Sequence, residues 1–299
     1  MKILLLGKNG QVGWELQRAL LPLGELIALD RHSKDYCGDL SKLNDLAKTI
    51  ELLKPDVIVN AAAYTAVDKA ESEPELSQLI NSEAVKVLAQ SAQKIDALLV
   101  HYSTDYVFSG EGEHFWQEGD ETAALNIYGQ TKLDGEKYIQ QYCSNHLIFR
   151  TSWVYSTYGN NFAKTILNLA KKREKLSVIN DQYGAPTGAE LIADCTAIAL
   201  VQTLLDKNKC GVYHLVSSGS TNWHQYAKLV TQEAQINGIE LALKELNAIP
   251  ATDYPLPAKR PLNSRLNNNK FQYCFDVTLP NWKIGVIRAI NEITTIKYR

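Results

Sequence analysis

The stretch LLLGKNGQVGWEL, Leu4–Leu16, decides how the rest of the chain is read. A short apolar run ends in Gly7, and Gly10 and Gly13 follow at three-residue spacing before a helix-like segment opens. Glycines there permit a tight turn and a close approach of the backbone to an anion. The following helix adds free N–H groups and the positive end of its dipole. Strand, G-x-x-G-x-x-G and helix together form a variant of the dinucleotide-binding fingerprint, with Gly7, Gly10, Gln11, Val12 and Gly13 around the pyrophosphate. A plain glycine turn is the blander reading of the same residues, and the preceding strand and the helix after it favour the binding one.

Outward from this loop, apolar runs alternate with helix-period segments. KILLLG (2–7), ELIALD (25–30), DVIVNAAAY (56–64), ALLVHYS (97–103) and HLIFRTSWVY (146–155) lack polar alternation, as strands buried on both faces should. SKLNDLAKTIELLK reads as a helix capped by Ser41 and closed before Pro55, and SQLINSEAVKVLAQSAQKI repeats its apolar positions every three to four residues. Strand and helix in alternation predict an α/β fold, a doubly wound, Rossmann-like parallel sheet. LSVIND (176–181) and GVYHLVS (211–217) are expected as two further strands of that sheet, with a helix at 189–205 between them.

From about Ser218 the texture changes. A helix WHQYAKLVTQEAQ, a strand IELALKEL and the Pro-rich IPATDYPLPAKRP predict a smaller C-terminal α/β lobe that closes over the sheet. The expected division is 1–217 for the dinucleotide-binding unit and 218–299 for a substrate-binding lobe, with residues near 154–175 lending to the latter.

Composition narrows the partners. The 299 residues are 45% hydrophobic and 21% charged, enough for a sizeable core, and the net charge of −2 suggests neither nucleic acid nor an anionic membrane as partner. Five scattered cysteines, odd in number and without a C-x-x-C pair, read as reduced thiols of a cytoplasmic protein. The apolar run of MKILLLGKNG ends in the glycine turn without a cleavage-type segment, and no stretch approaches the roughly 20 apolar residues of a membrane helix.

Further along the cofactor path, Asp30 ends the second strand, where an acid accepts the adenosine ribose hydroxyls and favours NAD. Arg31 beside it can pair with the 2′-phosphate of NADP, so the pair predicts tolerance of NADPH or NADH. Asp39 and Leu40 in GDLS are candidates for the adenine edge. Ala62, Ala63, Tyr64 and Thr65 lie where a third strand would pass under the cofactor, although the two alanines could equally serve close helix–sheet packing.

VHYSTDYVFSG brings Ser103, Thr104 and Asp105 to the end of the fourth strand, the side on which open parallel sheets bind ligands. NIYGQTKLDGEK then sets Tyr128 and Lys132 one helical turn apart on one face. Alone the pair reads as a solvated helix face; behind the glycine loop and Ser103-Thr104 it reads as chemistry. Tyr128 would donate a proton as hydride reaches a carbonyl carbon. Lys132 would stabilise the phenolate and hold the nicotinamide ribose, and Thr104 would orient the substrate oxygen.

This order of parts resembles the extended short-chain dehydrogenase/reductase superfamily over nearly the whole chain. STDYVFSG, NIYGQTKLDGE, RTSWVYSTYGNNF, DQYGAPT and RPLNSRL resemble one branch, the dTDP-4-dehydrorhamnose reductases. The resemblance implies NADPH- or NADH-dependent reduction of the 4-keto group of a dTDP-sugar, in the pathway that makes dTDP-rhamnose for O-antigen lipopolysaccharide. It implies Thr104, Tyr128 and Lys132 as the catalytic group, and Thr104, Asp105, Tyr128 and Trp153 against the sugar nucleotide. Trp153 is open to a second reading, as core. Arg260 suits a diphosphate by its guanidinium geometry and a plain surface position equally. A homodimer and Mg²⁺ come with the resemblance too, although no carboxylate cluster has the spacing of a metal site. The related 4,6-dehydratases follow the threonine with two acids, whereas Asp105 here is followed by Tyr106, so simple reduction fits better. Epimerases are excluded less firmly. An NADP-binding regulatory subunit without turnover is the non-enzymatic alternative, and the intact Tyr128–Lys132 pair argues against it.

Overall fold

The computed structural model describes Met1–Thr295; the last four residues of the expected lobe, 296–299, lie outside the described ones. Five strands carry most of the central sheet: β1 (Lys2–Leu6), β2 (Glu25–Leu29), β3 (Val57–Asn60), β4 (Leu98–Thr104) and β5 (His146–Thr151). With the Gly211–His214 strand on the outer edge of β5, the order across the sheet is Gly211–His214, β5, β4, β3, β1, β2. Every neighbouring pair is parallel. The chain leaves β1 toward β2 on one side and β3 on the other, so a crevice opens at the carboxyl ends of β1 and β3. That switch point is where such sheets bind ligands.

Alternation along β1 splits the core into two layers. Ile3 and Leu5 join Leu16 and Leu20 of the first helix, α1 (Gln11–Leu20), and Ile192 and Ala199 of the Ala189–Leu205 helix. Leu4 and Leu6 face the other way, onto Leu46 and Ile50 of α2 (Leu43–Leu53) and Val85 and Leu88 of the Ala84–Lys94 helix. Strands covered on both faces need no polar alternation, which explains the uninterrupted apolar runs.

Three sequence expectations change. LSVIND does not enter the central sheet: Lys175–Ile179 pairs in parallel with Glu245–Ile249 in a separate two-stranded sheet. Its alternation carries the reason, since Leu176 and Val178 are buried while Ser177 faces out, the pattern of a strand covered on one side. The strand expected from Ile239 begins only at Glu245. Ser41 does not cap α2: its N–H and hydroxyl both donate to Asp39 Oδ1, and the helix opens after Lys42.

A third apolar cluster lies apart from the sheet. Tyr155, Ile166, Val178, Tyr226, Val230, Trp282 and Val286 form it, so 154–179, the Trp223–Ile236 helix and the Trp282–Thr295 helix share one core.

Candidate active site

The site begins with the turn after β1. Gly7 has φ of +87°, the left-handed region, and a Cβ there would meet the Ala62 nitrogen at 2.7 Å. Gly10 is the N-cap of α1 and no side chain caps it, so the first-turn N–H groups are free of intrahelical partners. A Cβ on Gly10 would lie 3.4 Å from the Gly7 carbonyl, an ordinary contact, so at this position glycine is not demanded by space. The turn and the free N–H groups form the cradle a pyrophosphate needs.

Beyond the turn runs a cleft of about 490 Å³. Gly7, Gly10, Gln11 and Val12 form its floor, and Asp30, Arg31, Asp39 and Leu40 line one end. Ala62, Ala63, Tyr64 and Thr65 form a wall, and Tyr128 and Lys132 close the far end. Gly13 is the one expected cofactor contact that does not line the cleft. It is buried in α1 against the Gly7 carbonyl, so its lack of a side chain serves helix–strand packing.

The sequence reading missed several lining residues: Asn9, Gly38, Ala61, Ile80, Tyr102, Thr151 and Val154, with Ser103 noted only as a strand-end hydroxyl. Gly38 is confined to glycine by the fold, since a Cβ there would collide with Leu29 and Asp30. Ile80 had no sequence signal, because it lies on a π-helical segment, Leu79–Glu83, that periodicity does not reveal. The same segment carries Asn81, which accepts from the Tyr64 N–H at 2.8 Å and donates to its carbonyl at 3.0 Å, fixing that wall.

Ser103 and Thr151 line the cleft, and their buried Oγ and Oγ1 atoms have no hydrogen-bond partner among the described residues. Orphaned buried hydroxyls call for a polar ligand. With the glycine cradle, they make the cleft fit a dinucleotide.

Tyr128 and Lys132 lie on the Ile127–Tyr142 helix. Asn126 caps it by accepting from the Gly129 N–H at 2.8 Å and also donates to the Lys259 carbonyl at 2.7 Å, tying the C-terminal segment to the helix start. Tyr128 meets Tyr106 edge-on at 5.7 Å. Burial pushes its phenol up to about 12; the Thr104 hydroxyl pulls the other way and Asp105 adds to the rise. Lys132 Nζ donates to the Tyr102 carbonyl at 2.6 Å and lies 3.0 Å from His101 Nε2, while burial dominates Tyr128. Burial also brings Lys132 down to about 8, against the opposing pull of Glu136.

Thr104 donates to Asp105 Oδ1 at 3.1 Å and accepts from the Tyr106 N–H. Burial pushes Asp105 up to about 6, although the Ser264 and Thr104 hydroxyls favour its ionised form. Of the expected substrate residues, Tyr128 lines this cleft, whereas Thr104, Asp105, Trp153 and Arg260 do not. Trp153, with φ of +49°, stacks on Trp223 at 3.7 Å beside the third apolar cluster. Arg260 is engaged by Asp68 at 2.7 Å and donates to the Ala258 carbonyl at 3.0 Å. Among the described residues no group of three or more His, Cys, Asp or Glu side chains is arranged to hold a metal ion, so the Mg²⁺ that the resemblance implied finds no site there.

A doubly wound parallel sheet, a dinucleotide cradle at its switch point, and Tyr128 and Lys132 lining the cleft next to Thr104 at the end of β4 define a nicotinamide-dependent oxidoreductase of the extended short-chain dehydrogenase/reductase class. The family model described as the RmlD substrate binding domain matches residues 1–295, and the chain belongs to that family. It is 62% identical to the dTDP-4-dehydrorhamnose reductase of Escherichia coli (strain K12), over 99% of each chain. Among solved structures, the dTDP-4-dehydrorhamnose reductase of Bacillus anthracis in complex with NADP is 30% identical with a TM-score of 0.86, covering 97% of this chain and 99% of that one. The Clostridium acetobutylicum dTDP-4-dehydrorhamnose reductase is 33% identical with a TM-score of 0.85, over 98% and 99%.

Proposed function

We propose that this chain reduces the 4-keto group of dTDP-4-dehydro-L-rhamnose to give dTDP-L-rhamnose, with NADPH or NADH as reductant. The observation that carries the reading is the placing of Tyr128 and Lys132 at the end of the dinucleotide cleft, with the Thr104 hydroxyl against the phenol, in a chain 62% identical throughout to a reductase of that name. The dinucleotide supplies the hydride.

This chain's residues supply the rest. A phenol with a raised pKa keeps its proton until a stronger base appears, and the alkoxide left by hydride addition is such a base. Tyr128 gives that proton up, and the Lys132 ammonium and the Thr104 hydroxyl stabilise the phenolate. Lys132 also holds ribose hydroxyls, and Thr104 orients the substrate oxygen, with Asp105, Trp153 and Arg260 against the sugar nucleotide. Gly7, Gly10, Gln11 and Val12 hold the pyrophosphate. Asp30, Arg31, Asp39 and Leu40 take the adenosine half.

Residues 1–217 act as the dinucleotide unit and 218–299 as the substrate lobe, with about 154–175 lending to the latter, a division supported by the third apolar cluster. A homodimer, a cytoplasmic location and a role in making dTDP-rhamnose for O-antigen polysaccharide go with this reading on family resemblance. Among the described residues, no helix is long and apolar enough to cross a membrane.

The test mixes the protein with NADPH and dTDP-4-dehydro-L-rhamnose and follows the loss of reduced-nicotinamide absorbance. Oxidation that depends on the sugar nucleotide is expected. Its absence with both NADPH and NADH refutes the reading.

A further inference from the structure

A directed chain of hydrogen bonds runs under the site and ends on Lys132. The Ala62 N–H donates to Asn60 Oδ1 at 3.1 Å. That contact orients the amide, so Asn60 Nδ2, a donor, faces His101 Nδ1 at 3.1 Å. His101 Nδ1 must then accept. A neutral imidazole with an accepting Nδ1 carries its proton on Nε2, and Nε2 lies 3.0 Å from Lys132 Nζ. An ammonium there would set donor against donor; an amine would offer its lone pair. Asn60, His101 and Lys132 are each no more than 2% exposed, so no bulk water relieves a mismatch.

The ammonium state requires the mirror arrangement. His101 Nε2 must accept from Nζ, its proton must stand on Nδ1, and Asn60 must turn its oxygen toward the ring at the expense of the Ala62 contact. We propose that His101 is a positioning residue that changes tautomer with the protonation of Lys132, so that the Asn60–His101 pair sets when this lysine is an ammonium. The imidazole is neutral in both states, so one proton is gained overall, and it resides on Nζ. The proposal rests on the reductase reading only in giving Lys132 its task.

The groups around the pair are few. Burial holds His101 well below the usual imidazole range, and the Lys132 charge adds to this. Tyr128 and Glu136 lie on the lysine's own helix, and Glu136 is paired with Arg150 of β5 at 2.7 Å. Beside Lys132, Thr131 meets the neutral Ser77 and Asn81. Asp105 follows β4 and acts on Tyr128. Of these, His101 is the titratable group whose ring touches Nζ.

The test is ¹⁵N NMR on the full chain with labelled histidine and lysine, His101 being assigned by the signal lost in His101→Gln. From about pH 6 to about pH 10 the His101 ring is expected to pass from the Nδ1–H to the Nε2–H tautomer, with the midpoint of the Lys132 Nζ titration. A single tautomer across that range overturns the proposal. Asn60→Asp supplies a carboxylate that accepts from both the Ala62 N–H and an Nδ1–H, which favours the ammonium state. Its Lys132 midpoint is expected to rise by about one unit or more, and an unchanged midpoint overturns the proposal. Neither measurement needs sugar substrate, so both stand apart from the reductase assay.

Discussion

A Cβ built on Gly13 would stand 2.0 Å from the carbonyl oxygen of Gly7. The first helix is thus pressed onto the turn that precedes it, and the cradle exists because two glycines touch. Gly13→Ala is expected to push α1 off the turn and raise the NADPH dissociation constant at least about tenfold, roughly 1.4 kcal/mol. Fluorescence titration with NADPH reads this, and an unchanged constant would show that the cradle does not depend on the contact.

Tyr128→Phe removes one hydroxyl and leaves the ring that meets Tyr106 edge-on. Turnover is expected to fall by about 10²–10⁴, the usual range for a lost general acid, with NADPH binding nearly unchanged. Stopped-flow turnover and cofactor titration on the same preparation separate the two. Wild-type turnover would take Tyr128 out of its proposed role.

The central sheet was legible because β1, β3 and the first half of β4 carry the apolar runs ILLL, VIV and LLV without polar alternation, a pattern that a sheet buried on both faces imposes. Lys175–Ile179 alternates buried Leu176 and Val178 with exposed neighbours, the mark of a strand covered on one side that its apolar residues alone do not reveal. The cleft wall at Tyr64 was visible, but Asn81, which holds it, sits in a π segment with no sequence signature. Tyr128 and Lys132 were found by spacing. The partners of Nζ were not, since His101 lies inside an apolar strand run and comes under the lysine only through the β4 register. Spacing gives which side chains share a face; what meets them from the next element is tertiary.

Glu136 and Arg150 are paired with side chains 0% and 5% exposed, and two Arg150 nitrogens reach the carboxylate. Glu136→Gln leaves a buried guanidinium without its counter-charge, which costs about 3–5 kcal/mol by the usual penalty for breaking such a pair. Urea unfolding should show a lower midpoint with the same slope. A loss under about 1 kcal/mol would mean that the Glu118 carbonyl and the Phe108 face already satisfy the cation.

Arg260 is held by Asp68, a partly exposed pair worth no more than about 1 kcal/mol to the fold. If its guanidinium serves the diphosphate, Asp68→Asn frees it and Arg260→Ala removes it. Arg260→Ala is then expected to raise KM for the sugar nucleotide about tenfold, with Asp68→Asn changing it far less. Equal effects from both would make the pair a structural clasp on the 258–260 segment.

Asp105 supplies a pH dependence whose sign can be worked out. Burial raises its carboxyl from 3.8 to about 6, so between those values the folded chain binds a proton that the unfolded chain has released. Stability from this group is therefore full below about pH 4, falls as pH rises toward 6, and is flat above. Asp105→Asn removes the cost of burying the charge and should stabilise the fold at neutral pH by up to about 3 kcal/mol, with no gain at about pH 4. The same substitution is expected to slow turnover, because the Thr104 hydroxyl now donates to Asp105 Oδ1 and an amide at that position can turn a donor toward it. Thermal unfolding at both pH values, set beside kcat, tests the two halves separately. A gain of equal size at both would assign the effect to packing instead of ionisation.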